Sequence, residues 1–434
     1  MGGANGQRRR PHPPGSRSMR GSRAVGIDRR SATWLGIAGV LVLALGGRTG
    51  VAALSPLATE IELDLPLSGL WLGLLGTIPP LAYALAGLYT PRVTRRMGLE
   101  GVAIAVAAVT TLAHLARGLA PSYVGLFTAT VVLMLGVGSL NVILPGLVKL
   151  YAPAHIGRVT ALYSTAMAIS TALPAGVGLW LANGFGWRIA LGSWAVLSIL
   201  AAVPWLLLIP FIRRRAALEK AELGEIPAVP KLGALRHSPT AMSITLIFAA
   251  SGLSAYSVFA LLPPVLIDQA GATPAEAAIA LTLFSIMGLP MSLTIPLLAV
   301  RPKWPSRLVV LAAASSVSGY LGLVMAPAAW PLGWTVLAAL GTLTFSMSLA
   351  LIGARTRTPQ MATDVSGFVN TVGYLFAGIG PIVTGLLHEV TGLWEPSLLL
   401  LAGLTALVLP AVWILGREEY VEDELTRGRA RESA

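Results

Sequence analysis

The stretch from Ser122 to Leu147 reads SYVGLFTATVVLMLGVGSLNVILPGL and contains no Asp, Glu, Lys or Arg. An α-helix crossing the hydrocarbon core of a bilayer needs about 20 such residues. The polar positions in it are Ser, Thr, Tyr and Asn, whose side chains can bond the turn before them or a neighbouring helix. Backbone groups in lipid must be satisfied within the segment, so the stretch is expected to be helical. The alternating polarity of a transmembrane β-strand is absent from the chain.

Outward from this stretch, eleven more runs of the same kind are expected. Span one is Thr33 to Leu54, span two Ser68 to Tyr89 and span three Gly101 to Leu119. Span five is Val159 to Ala182 and span six Trp187 to Ile209. Beyond a polar interval come Thr240 to Leu262, Ala277 to Val300, Leu308 to Met325, Leu332 to Ile352, Val369 to Leu387 and Ser397 to Leu415. The 434-residue chain is 55% hydrophobic and only 12% charged, whereas soluble domains are roughly one quarter charged. A chain so apolar needs the lipid bilayer as its main solvent. The expected fold is an all-α polytopic membrane protein of two six-helix bundles. Its divisions are a disordered basic tail (1–31), a first bundle (32–212), a central linker (213–239), a second bundle (240–416) and a tail (417–434).

Of the 31 Lys and Arg, 28 fall in segments on one side of the spans, while Arg117 and Arg188 fall on the other and Arg48 lies within span one. The positive-inside rule then puts both termini and the central linker in the cytoplasm, with the protein in the cytoplasmic (inner) membrane. The formal net charge of +12 does not signal nucleic acid, because the cations cluster at the ends of apolar runs. Cys is absent and the five His are scattered, so disulfides and thiolate sites are excluded and no metal or other cofactor is expected. There is no nucleotide loop and no nucleophile set, which argues against an enzyme. Trp34, Trp71, Trp187, Trp330, Trp334 and Trp394 bracket spans as interfacial anchors would.

The two halves look duplicated. Pro174, Gly178 and Trp187 repeat as Pro381, Gly385 and Trp394, each set reading Pro-x3-Gly-x8-Trp in spans five to six and eleven to twelve. Pro bends a helix and Gly permits close approach, so these four Pro and Gly are candidate hinge and packing positions.

Arg48 is the informative residue. It lies within span one, in Gly46-Gly47-Arg48-Thr49-Gly50. A buried Arg costs about 2.5–3.5 kcal/mol on insertion scales, which makes it a functional candidate. The guanidinium is a planar fork suited to an anion or a polar delocalised group. No Asp or Glu lies deep in any span, so Arg48 is expected to lack a resident counter-ion, and proton coupling lacks a carboxylate carrier. The alternative is a structural Arg bonded to carbonyls or reaching the interface. Asn141, Tyr256, Asn370 and Tyr374 are further candidates for a wet central cavity. His114, near Arg117 at the outer end of span three, reads as interfacial.

Twelve spans split six and six resemble the major facilitator superfamily. Residues 87–96, GLYTPRVTRR, resemble its cytoplasmic signature, giving Gly87, Arg92, Arg95 and Arg96 a gating role. Pro91 stands where an acid is usual and Thr94 where Gly is usual, so the loop lacks the acid of the inner latch. Within the superfamily the chain is similar to the cyanate and 2-nitroimidazole permease family. The likeness rests on Arg48 followed by Ser55-Pro56-Leu57 and on Asn141 through Pro145 to Lys149. It continues in Leu262-Pro263-Pro264, Ser366-Gly367, Val372-Gly373-Tyr374 and Gly380-Pro381. That family often has Asn where Gly46 stands here. The resemblance implies that Arg48 faces a central cavity and that transport is by alternating access.

The leading expectation is a monomeric permease for a small anionic or polar solute, with a coupling proton left open. A drug exporter of the same fold, a membrane sensor and an intramembrane enzyme are the alternatives.

Overall fold

In the computed structural model the described residues are 28–65, 69–223 and 232–432. The expected basic tail therefore lies outside them, apart from its last four residues, as do positions 224–231 of the central linker. Among the described residues eleven helices are long and apolar enough to cross a membrane. They are α1 (Arg29–Ala52), α3 (Leu99–Gly118), α4 (Tyr123–Tyr151), α5 (Pro153–Phe185), α6 (Trp187–Arg215), α7 (Pro239–Ala270), α8 (Pro274–Ala299), α9 (Trp304–Met325), α10 (Pro331–Ala354), α11 (Pro359–Thr391) and α12 (Glu395–Leu415). A twelfth long helix, α2 (Gly69–Met97), lies between α1 and α3, and shorter helices include Ala58–Asp64 and Val421–Glu432. Arg92, Arg95 and Arg96 lie at one end of the helices, the basic face.

Local chemistry explains where the helices start and stop. Ser238, Thr273 and Thr358 each precede a Pro and accept a backbone N–H of the first turn. The hydroxyl satisfies one orphan donor, and Pro fills the position whose N–H has no partner. At the other ends of α7 and α11, Gly271 and Gly392 adopt φ of 65° and 69°, the left-handed cap in which a Cβ is strained.

The two copies of the repeat differ in backbone and agree in one contact. Pro174–Gly178 widens into a π-helical turn within α5, whereas Pro381 lies in the unbroken helix of α11. Neither Gly178 nor Gly385 is a point of close helix approach. The repeated tryptophans do the same job in each half. The indole N–H of Trp187 donates to Asp64 at 2.9 Å, and that of Trp394 donates to Asp268 at 2.8 Å. Each bond ties the segment after the first helix of a half, or that helix itself, to the start of its last. Trp187 is thus buried and bonded, not a plain interfacial anchor; the side chain of Trp71 lies outside the described residues.

The halves meet most tightly where small residues remove bulk. At Gly87 on α2 a Cβ would stand 2.3 Å from Thr371 Oγ1 and 2.5 Å from the Gly367 carbonyl on α11. At Gly146 on α4 it would stand 2.3 Å from Thr363 Oγ1. Gly87→Val should therefore force α2 and α11 apart. Overpacking of this kind typically costs about 1–3 kcal/mol, and the expected result is a lower melting temperature of the detergent-purified protein. An unchanged melting curve would show that the crossing yields without cost.

Candidate functional site

The site starts from a fault in α1. Gly46 and Gly47 are poor helix formers, and the helix stops at Gly46 and restarts at Thr49, with Arg48 in between at φ −112° and ψ −13°. The backbone N–H of Arg48 leaves the helical ladder and donates to Ser170 Oγ on α5 at 2.9 Å. The Thr49 hydroxyl donates to the Gly46 carbonyl at 3.0 Å. A break carried by side-chain hydroxyls is tolerated at membrane depth because its groups are satisfied by protein.

The Arg48 side chain is half-buried and points at the second bundle. Its Nη2 lies 3.4 Å from the Tyr374 hydroxyl on α11, a long hydrogen bond. Tyr83 of α2 and Tyr256 of α7 also interact with it. The guanidinium carbon lies 5.8 Å from the Tyr83 ring centroid and 6.0 Å from that of Phe345 on α10. Tyr374 in turn packs edge-on against Tyr83 at 4.9 Å and Phe248 at 5.2 Å. Both bundles thus contribute to one aromatic wall around one cation. Among the described residues no carboxylate forms an ion pair with Arg48, so aromatic faces and hydroxyls partly compensate its charge.

The structure brings Arg48, Tyr256 and Tyr374 together, and the two asparagines differ in what they bond. Asn370 is spent on its own helix, donating to the Ser366 carbonyl at 2.7 Å and to Ser366 Oγ at 3.2 Å. Asn141 is buried with neither amide atom bonded, and its backbone carbonyl accepts from Ser366 Oγ at 3.4 Å. Asn141 therefore keeps free hydrogen-bonding capacity at the α4–α11 seam, on the basic side of Arg48. The serines and threonines of α7 and α10 mostly bond backbone: Ser251 donates to the Thr342 carbonyl and Thr344 to that of Ile247, both at 3.2 Å. They line a separate small cavity inside the second bundle.

Sequence reasoning missed Tyr83, Phe248 and Phe345. The available signal was large aromatics in mid-span, away from the interfacial belt where such rings usually lie. It also placed Arg117 in an outer segment and His114 at the interface. Both are buried, at 0% and 1% exposure, on the inner side of α3.

On the basic face the halves are locked. Arg95 Nη2 on α2 stands 3.0 Å from both carboxylate oxygens of Asp364 on α11. Gln360 donates to the same carboxylate at 3.2 Å and reaches Thr94 Oγ1 at 3.5 Å. Asp364 is 2% exposed. The acid missing from the loop at Pro91 is thus supplied from across the seam. The sequence reading found no acid deep in a span; Asp364 escaped it because it precedes the apolar run of span eleven. Glu100, just before span three, escaped likewise: it is buried and accepts from Tyr151 at 2.9 Å and Arg215 at 2.7 Å within the first bundle. Of the other loop candidates, Arg92 donates to the Leu88 carbonyl and Arg96 is exposed. Lys149 of α4 donates to the Gly353 carbonyl of α10 at 3.3 Å. Ser164 of α5 donates to the Ser292 carbonyl of α8 at 2.9 Å. Among the described residues, every hydrogen bond joining the halves lies between the level of Arg48 and the basic face.

Two helical bundles meeting around a guanidinium without an ion pair among the described residues, and bonded to each other towards the basic face, have the architecture of a membrane transporter. The Major Facilitator Superfamily model matches residues 37–380, and the chain belongs to that family. It is a solute transporter of that fold and a multi-pass membrane protein. The chain is 31% identical to the 2-nitroimidazole transporter of Escherichia coli (strain K12) over 387 residues, 89% of this chain and 96% of that protein. It is 23% identical to the cyanate transport protein CynX of the same organism, covering 86% and 98%. Among solved structures it resembles the proton:xylose symporter XylE, with a TM-score of 0.69, 12% identity and coverage of 92% and 99%. That last likeness concerns the fold.

Proposed function

We propose that the protein carries a small, flat, anionic or strongly polar solute across the cytoplasmic membrane, with Arg48 as the binding group. The observation that supports this is the half-buried guanidinium that has no carboxylate partner among the described residues and is walled by Tyr83, Phe345 and Tyr374. An uncompensated charge in a low-dielectric interior is unfavourable, and an anion entering beside it relieves that cost. The aromatic wall favours a planar, delocalised group over a tetrahedral one. Asn141 supplies a second polar contact on the basic side, while Tyr256 and Tyr374 orient the solute; Asn370 shapes the seam without touching it.

In this reading the basic face is cytoplasmic, because the cations lie there. The bundles rock about Arg48, and opening towards the cytoplasm requires the Arg95–Asp364 pair to part. Residues 32–212 and 240–416 are the two moving bodies, the protein acts as a monomer, and Pro174 and Pro381 mark bends in the helices that tilt. The names of the 2-nitroimidazole and cyanate relatives fit a small solute of this chemistry.

The test is a thermal-shift series on purified protein with 2-nitroimidazole, cyanate, benzoate and a bulky cationic drug. A binder raises apparent stability by mass action. Stabilisation by one of the first three, lost in Arg48→Ala, is the expected result. Stabilisation by the cationic drug alone would favour a drug exporter and sink this reading.

A further inference from the structure

The break in α1 is held from behind by two side chains outside the aromatic wall. Ser170 on α5 takes the Arg48 N–H at 2.9 Å. Arg117 on α3 donates from Nη1 to the Gly50 carbonyl at 3.0 Å. The backbone ladder of α1 ends close by, with Ala53 N–H donating to the Thr49 carbonyl, so the Gly50 carbonyl depends on Arg117. Ser170 and Arg117 are both fully buried. Arg117 forms no ion pair among the described residues, and its Nε and Nη2 have no partner. His114, one turn away, offers no carboxylate and has its own Nδ1 unpaired.

A buried Arg without an acid is costly in a membrane interior. A fully buried guanidinium is a costly way to satisfy a single carbonyl, so its placement points to a role beyond filling space. Its one bond goes to a carbonyl two residues from Arg48. The N–H held by Ser170 and the carbonyl held by Arg117 bracket the short segment from which the Arg48 side chain departs. Together they fix the direction of that departure.

We propose that Arg117 and Ser170 are positioning residues: they clamp the interrupted turn of α1 from α3 and α5 and so hold the Arg48 fork towards the second bundle. This rests on Arg48 being the binding group. Fixing a guanidinium before the solute arrives removes an ordering cost at binding. It also keeps Arg48 from turning to lipid or to free carbonyls of its own helix.

The test reads Arg48 directly, without a solute. Phenylglyoxal modifies accessible guanidinium groups, and mass spectrometry of the Arg48 peptide gives the rate. Ser170→Ala removes one oxygen and Arg117→Met removes the charge at similar length. Each should speed Arg48 modification at least threefold, with modification of exposed Arg96 unchanged. Ser170→Thr and Arg117→Lys, which keep a donor or acceptor in place, should return the rate to within twofold of the parent. A further prediction is that Arg48→Lys costs less binding of the stabilising probe on the Arg117→Met background than in the parent, because the fork is already misdirected. Parent-like Arg48 modification in both Ser170→Ala and Arg117→Met would overturn the proposal. Probe stabilisation surviving Arg48→Ala would instead overturn the role of Arg48 in binding, and the two failures are read in separate experiments.

Discussion

Arg48→Ala should lower solute affinity at least 100-fold while the protein still inserts and folds. The magnitude follows from what the side chain can offer. A hydrogen bond to a charged group contributes about 1.5–3 kcal/mol, and a guanidinium fork can make two such bonds to one planar acceptor. At about 1.4 kcal/mol per factor of ten, losing both reaches two orders of magnitude or more. Folding should survive, because the Arg48 side chain makes one long bond to protein, to the Tyr374 hydroxyl, and its removal takes a costly charge out of the interior. Arg48→Lys separates charge from shape: it keeps the cation and loses the fork, so an intermediate loss of about tenfold is expected. The measurement is equilibrium binding of the probe that stabilises the parent. Parent-like affinity in Arg48→Ala would remove Arg48 from the site.

Arg95→Ala should shift the protein strongly towards the state open at the basic face, and more strongly than Asp364→Asn. The asymmetry comes from burial. Asp364 is 2% exposed and Arg95 34%, so removing the arginine strands a buried carboxylate with only Gln360 beside it. Removing the acid leaves an arginine that can turn to water. Breaking a buried pair costs about 3–5 kcal/mol; with Arg95 partly solvated we expect about 1–2 kcal/mol, a shift of roughly 5–30-fold in the conformational equilibrium. Asp364→Asn should shift it by a fewfold. The double change Arg95→Met with Asp364→Asn should recover much of the loss, because no uncompensated charge remains. The chain has no Cys, so a single Ser366→Cys placed at the α4–α11 seam reports opening without background. Faster maleimide labelling in Arg95→Ala, with the order above, is the expected outcome. Equal labelling in all variants would mean that the pair is a surface contact and that the seam is held by apolar packing.

These two predictions stand on sequence signals of very different strength. Arg48 could be picked out from the sequence because a charge inside an apolar run is improbable wherever the helix points. Tyr256 and Tyr374 could be marked as polar groups in mid-span, but Tyr83 and Phe345 were not legible, because they come from two further helices whose rotation a hydropathy profile leaves open. Asn141 and Asn370 looked alike as amides in mid-span, yet one is bonded to its own helix and the other is unbonded. Arg117 was misplaced for a related reason: at a span end, a cation turned inward and one turned to water have the same sequence signature.

The chain alone determined that it lies in a membrane, that it crosses twelve times in two sets of six, and which face carries the cations. Each of these follows from composition along short windows, because burial in lipid acts on every residue of a span. Only the tertiary structure decided that Asp364 locks Arg95, 269 positions away. It also decided that aromatic rings from both bundles surround Arg48, and that α3 and α5 hold the break from which Arg48 projects. Those are pairings between helices, fixed by how each one turns and slides against its neighbours, and such long-range geometry leaves no local trace in the order of residues.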